Sequence, residues 1–145
     1  MTRFVRNRSL ALTLLVFAAC GDSTGPGPQT VEEARALWLS HHVLAYSYVG
    51  SRASFVGPSG PVRVEVSNGV VTGVTNLTTQ AQIDPIGWLT IDQLLNLAET
   101  LQPQPVEFDR QYGFPMRVER CCIADDSGAV YTVSSVSIFL ILESP

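Results

Sequence analysis

Cys20 is the residue for which the sequence predicts the most definite chemistry, the attachment of a lipid to a thiol. Three arginines near the start of the chain precede a run of apolar residues, 10–19, that only Thr13 interrupts. Two alanines come directly before Cys20, which is the small-residue pattern at which lipoprotein signal peptidase cleaves. The apolar run has about ten residues, whereas a helix that spans a bilayer needs ~20. We therefore expect residues 1–19 to be a lipoprotein signal peptide and Cys20 to be the lipidated mature N-terminus.

The segment after Cys20 favours this lipid anchor over an ordinary secretory signal with a chance cysteine. Residues 21–28 are polar and rich in glycine and proline, so they form neither helix nor strand. We expect residues 20–29 to be a tether and residues 30–145 to form a single α+β domain. The expected location is the cell envelope, where the domain is anchored to a membrane and faces the periplasm or the cell surface.

The other two cysteines, Cys121 and Cys122, are neighbours in the chain. Adjacent residues of a strand point to opposite faces of the sheet, so the two thiols cannot pair while the chain stays extended. A vicinal disulfide would be strained, and strain raises its reduction potential. We favour one buried and one exposed thiol. Because Arg120 could lower the pKa of either thiol, a redox role stays open.

His41 and His42 are the only side chains whose ordinary pKa suits proton transfer near neutrality. Adjacent positions of a helix diverge by ~100°, so the two rings cannot face one metal ion without help. No nucleophile elbow accompanies them. Asp125 and Asp126 lack the alternating oxygen ligands of a calcium loop, and a charged turn is the better interpretation. The sequence therefore predicts no catalytic residue, no bound metal and no cofactor.

The charge of the chain argues against nucleic acid as a partner. The formal net charge of the whole chain is -4. Removal of the signal takes away three arginines, which leaves six arginines and thirteen acidic residues, a net charge of -7. Such a composition offers no basic patch for a phosphate backbone. The 126 residues from Cys20 onward suit one domain with one core.

Two capping boxes, each a threonine followed three residues later by Glu or Gln, mark the starts of two helices. The hydroxyl and the longer side chain each bond the backbone N–H of the other residue. Apolar residues at helical spacing follow both boxes, which are Thr30 with Glu33 and Thr90 with Gln93. The first predicted helix covers residues 31–42, and prolines 103 and 105 end the second.

Asn68-Gly69 is the strongest local signal for a hairpin, because both central residues of a type I′ turn need positive φ. It joins two predicted strands of alternating character, residues 61–66 and 70–75. Loops are predicted over residues 51–60 and 76–87. Further strands are predicted over 44–49, 106–109, 114–120 and 130–142, the last with a bend at Ser134-Ser135.

This order of elements, without βαβ crossovers, predicts an α+β fold. Two amphipathic helices pack on one face of an antiparallel sheet of about five or six strands. Leu44, Tyr46 and Tyr48 share one face of a strand, and we expect both tyrosines to be core residues rather than ligand contacts. The aromatic residues expected to supply much of the core are Trp38, Tyr46, Tyr48, Phe108, Phe114 and Tyr131.

Four short segments carry a family resemblance. They are Trp38 followed by Tyr46-Ser47-Tyr48, and residues 62–70, 89–95 and 112–118. Their order and spacing resemble a family of bacterial lipoproteins and secreted proteins catalogued as a domain of unknown function, over roughly residues 34–136. Many members carry a Cys-x-Cys pair after the Tyr-x-Tyr strand, and residues 49–58 lack it, so no role of that pair is carried over. The resemblance implies an α+β envelope domain and brings no activity with it.

The sequence predicts a lipid-anchored module of the cell envelope that binds a protein, peptide or ligand and is not an enzyme. A sheet face or an edge strand would provide the binding surface. The alternative is an envelope hydrolase or thiol-redox protein that uses His41 and His42 or Cys121 and Cys122. A convergent polar constellation would favour that alternative, and the sequence shows none.

Overall fold

The computed structural model describes residues 26–54, 57–100, 106–120 and 128–139. Two helices and five strands occur in this part of the chain. In order they are α1 (Val31–Ser40), β1 (Ala45–Ser54), β2 (Gly57–Ser67), β3 (Val70–Asn76), α2 (Ile91–Thr100), β4 (Arg117–Arg120) and β5 (Ala129–Ile138). The predicted α+β class is confirmed.

The five strands form one antiparallel sheet in the order β3-β2-β1-β5-β4, with β1 at its centre. The predicted hairpin joins β2 and β3, and its turn residues Asn68 and Gly69 have φ values of 50° and 73°. Neighbouring strands of the sheet are consecutive in the chain, except for β1 and β5. The pairing of β1 with β5 places the last described strand beside the first. The sheet thus matches the predicted strand number.

The predicted loop over residues 51–60 is wrong. β1 continues to Ser54 and β2 already begins at Gly57, so most of this stretch is paired backbone. The register shifts between Gly50 and Arg52, and a Cβ added to Gly60 would overlap Ser51. A bulge with a close backbone approach explains why turn-type residues occur inside a strand here.

The predicted strand over residues 106–109 is also wrong. Phe108 forms only an isolated bridge with Pro115, and β4 is restricted to the four residues Arg117–Arg120. The carboxylate of Asp109 accepts the backbone N–H groups of Gln111 and Tyr112, at 3.0 and 2.7 Å. These bonds close a tight turn, which leaves too few residues on either side for a ladder.

Both capping boxes are present. Glu33 N donates to Thr30 Oγ1 at 3.1 Å, and Gln93 N donates to Thr90 Oγ1 at 3.2 Å. Helix α1 ends two residues earlier than predicted, because His41 caps it and the next residue has a left-handed φ of 49°. The predicted stop at prolines 103 and 105 lies outside the described residues.

All six aromatic residues predicted for the core are buried. Trp38 and Tyr46 meet edge to face, with ring centroids 5.1 Å apart. The prediction that Leu44 shares a strand face with Tyr46 and Tyr48 is wrong, because Leu44 lies just before β1 and its side chain is 61% exposed. The valines of β2 that alternate with its charged residues complete the core.

The last strand confirms the predicted bend. Val49 pairs with Ser135 and Gly50 with Val133, so Ser134 is the extra residue of a bulge. The predicted continuation of this strand after residue 139 lies outside the described residues. Across the described ranges, neither helix has the length and apolar character needed to cross a membrane.

Candidate functional site

Several residues singled out in the sequence lie outside the described part of the chain. They are Cys20, Cys121, Cys122, Asp125 and Asp126. Their predicted lipidation, thiol chemistry and turn stay predictions.

The two histidines are described, and the structure uses them differently. The Nε2 atom of His41 lies 3.0 Å from the carbonyl oxygen of Gln111, and its ring packs against Tyr112 with centroids 5.0 Å apart. His42 adopts the left-handed backbone that ends the helix. His41 therefore ties the end of α1 to the turn that precedes β4.

Tyr46 and Tyr48 also bond inside the fold. The hydroxyl of Tyr46 accepts the backbone N–H of Ile91 at 2.8 Å, and the hydroxyl of Tyr48 donates to the carbonyl of Leu89 at 2.7 Å. Burial is the main cause that raises the pKa of both phenols above its ordinary value of 10.0. They are neutral core groups that connect β1 to the start of α2.

Within the described ranges, no group of three or more His, Cys, Asp or Glu side chains lies close enough to hold a metal ion. Two clefts lie beside the tether, and residues 26–29 and Arg110 line both of them. Glu33 and Leu37 of α1 complete the first, and Glu107, Phe108 and Met116 help to line the second. Their charged side chains are Arg110 with Glu33 in the first and with Glu107 in the second, and neither lining includes a His, Cys or Ser side chain.

A different cluster forms at the far end of β1, around Arg52. Its guanidinium carbon lies 5.4 Å from the centroid of the Trp88 ring, a cation–π geometry. Its Nη1 donates to the carbonyl of Ile86 at 3.3 Å. Gly87 lies so close to Arg52 that an added Cβ would overlap the Nη1 atom. The carbonyl of Gly87 also accepts a hydrogen bond from the hydroxyl of Tyr131 at 3.3 Å. The cluster thus holds the loop before α2 against the centre of the sheet.

The charge of Arg52 is not paired within the described part of the chain. Ion pairs there join Arg35 to Glu99, at 2.7 Å, and Arg117 to Glu119. The Nε atom of Arg52 is buried without a hydrogen-bond partner. A guanidinium has a planar fork of donors that fits a carboxylate. Beside it Ile86 is 79% exposed, which places an apolar side chain next to an unpaired cation.

No pattern in the sequence predicts this cluster. Arg52 and Trp88 are 36 positions apart, and both neighbourhoods read as loop or polar connection. Only the continuation of β1 past Gly50 carries Arg52 to Trp88. An arginine inside a turn-rich segment predicts no such contact.

A family model matches residues 30–138, which is most of the chain. The family is described as one of unknown function, in agreement with the resemblance of the four sequence segments. No curated protein and no solved structure matches the chain.

Proposed function

We propose, from the premise that this chain belongs to the family of unknown function DUF6174, that it is a lipid-anchored, non-enzymatic module of the cell envelope. In this proposal Cys20 carries the lipid, residues 20–29 are the tether, and the folded domain binds a protein or peptide partner. No cofactor, metal or nucleic acid takes part. The membership itself brings no activity, so the support comes from the residues of the fold.

The first support is the way the helices use the sheet. Tyr46 and Tyr48 lie two residues apart on β1 and therefore share a face. Trp38 of α1 packs on Tyr46, and Ile91 at the start of α2 bonds to the Tyr46 hydroxyl. We infer that both helices cover this one face of the sheet. The other face then stays open, in keeping with the exposed Arg63 and Glu65 of β2.

The second support is that groups able to do chemistry are engaged in holding the fold. His41 contacts Gln111 and Tyr112, and the phenols of Tyr46 and Tyr48 bond to backbone groups. A general base must be able to reach a substrate proton, and these contacts compete with that use. They favour binding over catalysis.

The observation that carries the proposal is the Arg52 surface, formed by Arg52, Trp88 and the exposed Ile86. Its cation has no carboxylate of the described residues within 4.0 Å, although the chain is acidic. A partner that presents a carboxylate beside an apolar side chain would pair with Arg52 and cover Ile86. The guanidinium is held in place by the ring of Trp88 and by its hydrogen bond to the Ile86 carbonyl.

The test is photocrosslinking in intact cell envelopes with a photoreactive amino acid at position 86. We expect one specific crosslinked partner, and we expect Arg52→Gln to reduce that crosslink at least tenfold. Arg63→Gln is the matched control, because Arg63 is an exposed arginine on β2 away from the Arg52 surface. A photoreactive residue at Met116, an exposed apolar position elsewhere, should give no such product.

A crosslink that survives Arg52→Gln, in protein with an unchanged circular dichroism spectrum, would contradict a role for this arginine. Double substitution of His41 and His42 by alanine, or of Cys121 and Cys122 by serine, addresses the alternative. A variant that folds but no longer complements a deletion strain with a phenotype would favour an envelope hydrolase or a thiol-redox protein.

A further inference from the structure

Exposed apolar side chains gather at one end of the sheet, opposite the Arg52 surface. Leu44, Val70 and Phe139 are 61%, 62% and 54% exposed. The backbone around them is bonded together: Asn68 N donates to the carbonyl of Leu44 at 2.8 Å, and Phe139 N donates to the carbonyl of Ala45 at 3.0 Å. Val70 pairs with Ser67, which in turn pairs with Ala45.

Leu39, in the last turn of α1, is 56% exposed, and the chain runs from this turn directly to Leu44 at the same end of the domain. We call Leu39, Leu44, Val70 and Phe139 the uncharged end. Three stretches of chain supply it, and none of them contains Asp, Glu, Lys or Arg. These stretches are residues 36–51, 66–83 and 128–139.

We propose that the uncharged end is the surface with which the domain rests on the lipid bilayer, an inference that depends on the proposed lipid anchor. The domain is acidic as a whole, so most of its surface is repelled by the anionic headgroups of a membrane. The described residues that form this end carry no Asp, Glu, Lys or Arg, so they escape this repulsion. Exposed leucine, valine and phenylalanine side chains gain free energy at the boundary of headgroups and acyl chains.

The course of the tether fits this orientation. Residues 26–29 line a cleft with Glu33 and Leu37, so the chain before α1 lies alongside that helix. The six steps of chain from Cys20 to Pro26 span up to ~20 Å when extended. Leu37 is only about one helical turn, ~5 Å, from the end of α1. A lipid on Cys20 can therefore enter the bilayer while the uncharged end touches its surface.

A bilayer suits this patch better than a second copy of the chain. A stable protein interface takes about 20–30 residues on each side, and the uncharged end offers four apolar anchors. The lipid anchor, in contrast, makes membrane contact an intramolecular event, so a small gain in free energy suffices. The Arg52 surface, eight residues or ~26 Å further along β1, would then face away from the membrane.

The experiment uses the acylated protein in phosphatidylcholine vesicles that contain lipids brominated along their acyl chains. Leu44→Trp places a fluorophore at the uncharged end, and Ile86→Trp is the matched control on an exposed apolar residue of the Arg52 surface. The emission of Trp38 and Trp88, measured in the wild type, is subtracted. We expect at least twofold quenching of the new tryptophan at position 44 and none at position 86.

Equal quenching at both positions, or none at position 44, overturns the proposal. Val70→Trp repeats the measurement should Leu44→Trp fail to fold. Mass spectrometry of the same samples reports the lipid separately: acylated protein without quenching rejects the orientation alone, whereas absence of an acyl group rejects the anchor and the orientation together. A dimer that Leu44→Ser and Phe139→Ser dissociate would assign the patch to a second copy and also overturn the proposal.

Discussion

Two glycines with positive φ serve different purposes in this fold. Gly69 has a φ of 73° in the hairpin turn, and a Cβ added there would meet no atom within 4 Å. Gly113 has a φ of 77°, and a Cβ added there would overlap the carbonyl oxygen of Ala34 in α1. Backbone conformation alone requires the first glycine. Conformation and the close approach of a helix both require the second.

We expect Gly69→Ala to lower the free energy of unfolding by roughly 1–2 kcal/mol, the cost of a left-handed residue with a side chain. Gly113→Ala should cost roughly 2–5 kcal/mol, since the overlap with the Ala34 carbonyl adds an overpacking term of roughly 1–3 kcal/mol. Urea denaturation followed by circular dichroism measures both values. Equal losses for the two variants would contradict the close packing of Gly113 on α1.

At the scale of elements, the two helices begin in the same way but in different surroundings. The hydroxyl of Thr30 caps α1 at an exposed position, whereas Thr90 caps α2 and is only 2% exposed. The start of α2 is also fixed from the sheet, because Tyr46 accepts the N–H of Ile91. The cap of α2 is therefore part of the core, and the cap of α1 is a surface feature.

We expect Thr30→Ala to cost about 1 kcal/mol, the usual value of a lost N-cap. Thr90→Ala should cost about 2 kcal/mol or more, because a buried methyl contact is lost together with the cap. Thermal unfolding of both variants measures the difference. Thr90→Ser is the control: it keeps the hydroxyl, and a loss as large as that of Thr90→Ala would mean that the cap contributes little.

At the scale of the whole molecule, the central strand separates two surfaces of different character. The Arg52 surface lies toward the end of β1, and the uncharged end lies at its beginning. In the orientation proposed above, one contacts lipid and the other is presented to a partner. This arrangement requires that Cys20 carries the lipid, because the anchor is what holds the domain at the membrane.

We expect Cys20→Ser to abolish incorporation of labelled fatty acid and to block removal of residues 1–19, because the lipid is attached to the thiol. Cys121→Ser is the matched control and should be labelled and cleaved like the wild type. Metabolic labelling and the mass of the purified chain provide the measurement. A Cys20→Ser protein that is cleaved and labelled normally would refute the lipoprotein assignment.

The sequence by itself determined the features that depend on neighbouring residues. The capping boxes at Thr30 and Thr90, the turn at Asn68-Gly69 and the bend at Ser134 were predictable, since each depends on a few consecutive side chains and their backbone preferences. The buried aromatic residues were predictable too, because removing a large aromatic side chain from water is favourable whether a helix, a strand or a turn carries it.

Only the tertiary structure decided the features that join distant parts of the chain. Glycine and proline between residues 57 and 61 read as a loop, but pairing with β1 keeps this stretch in the sheet. That extension carries Arg52 to Trp88. The antiparallel register likewise brings Leu44, Val70 and Phe139 to one end. Contacts of this kind depend on strand pairing across tens of residues, which local periodicity does not encode.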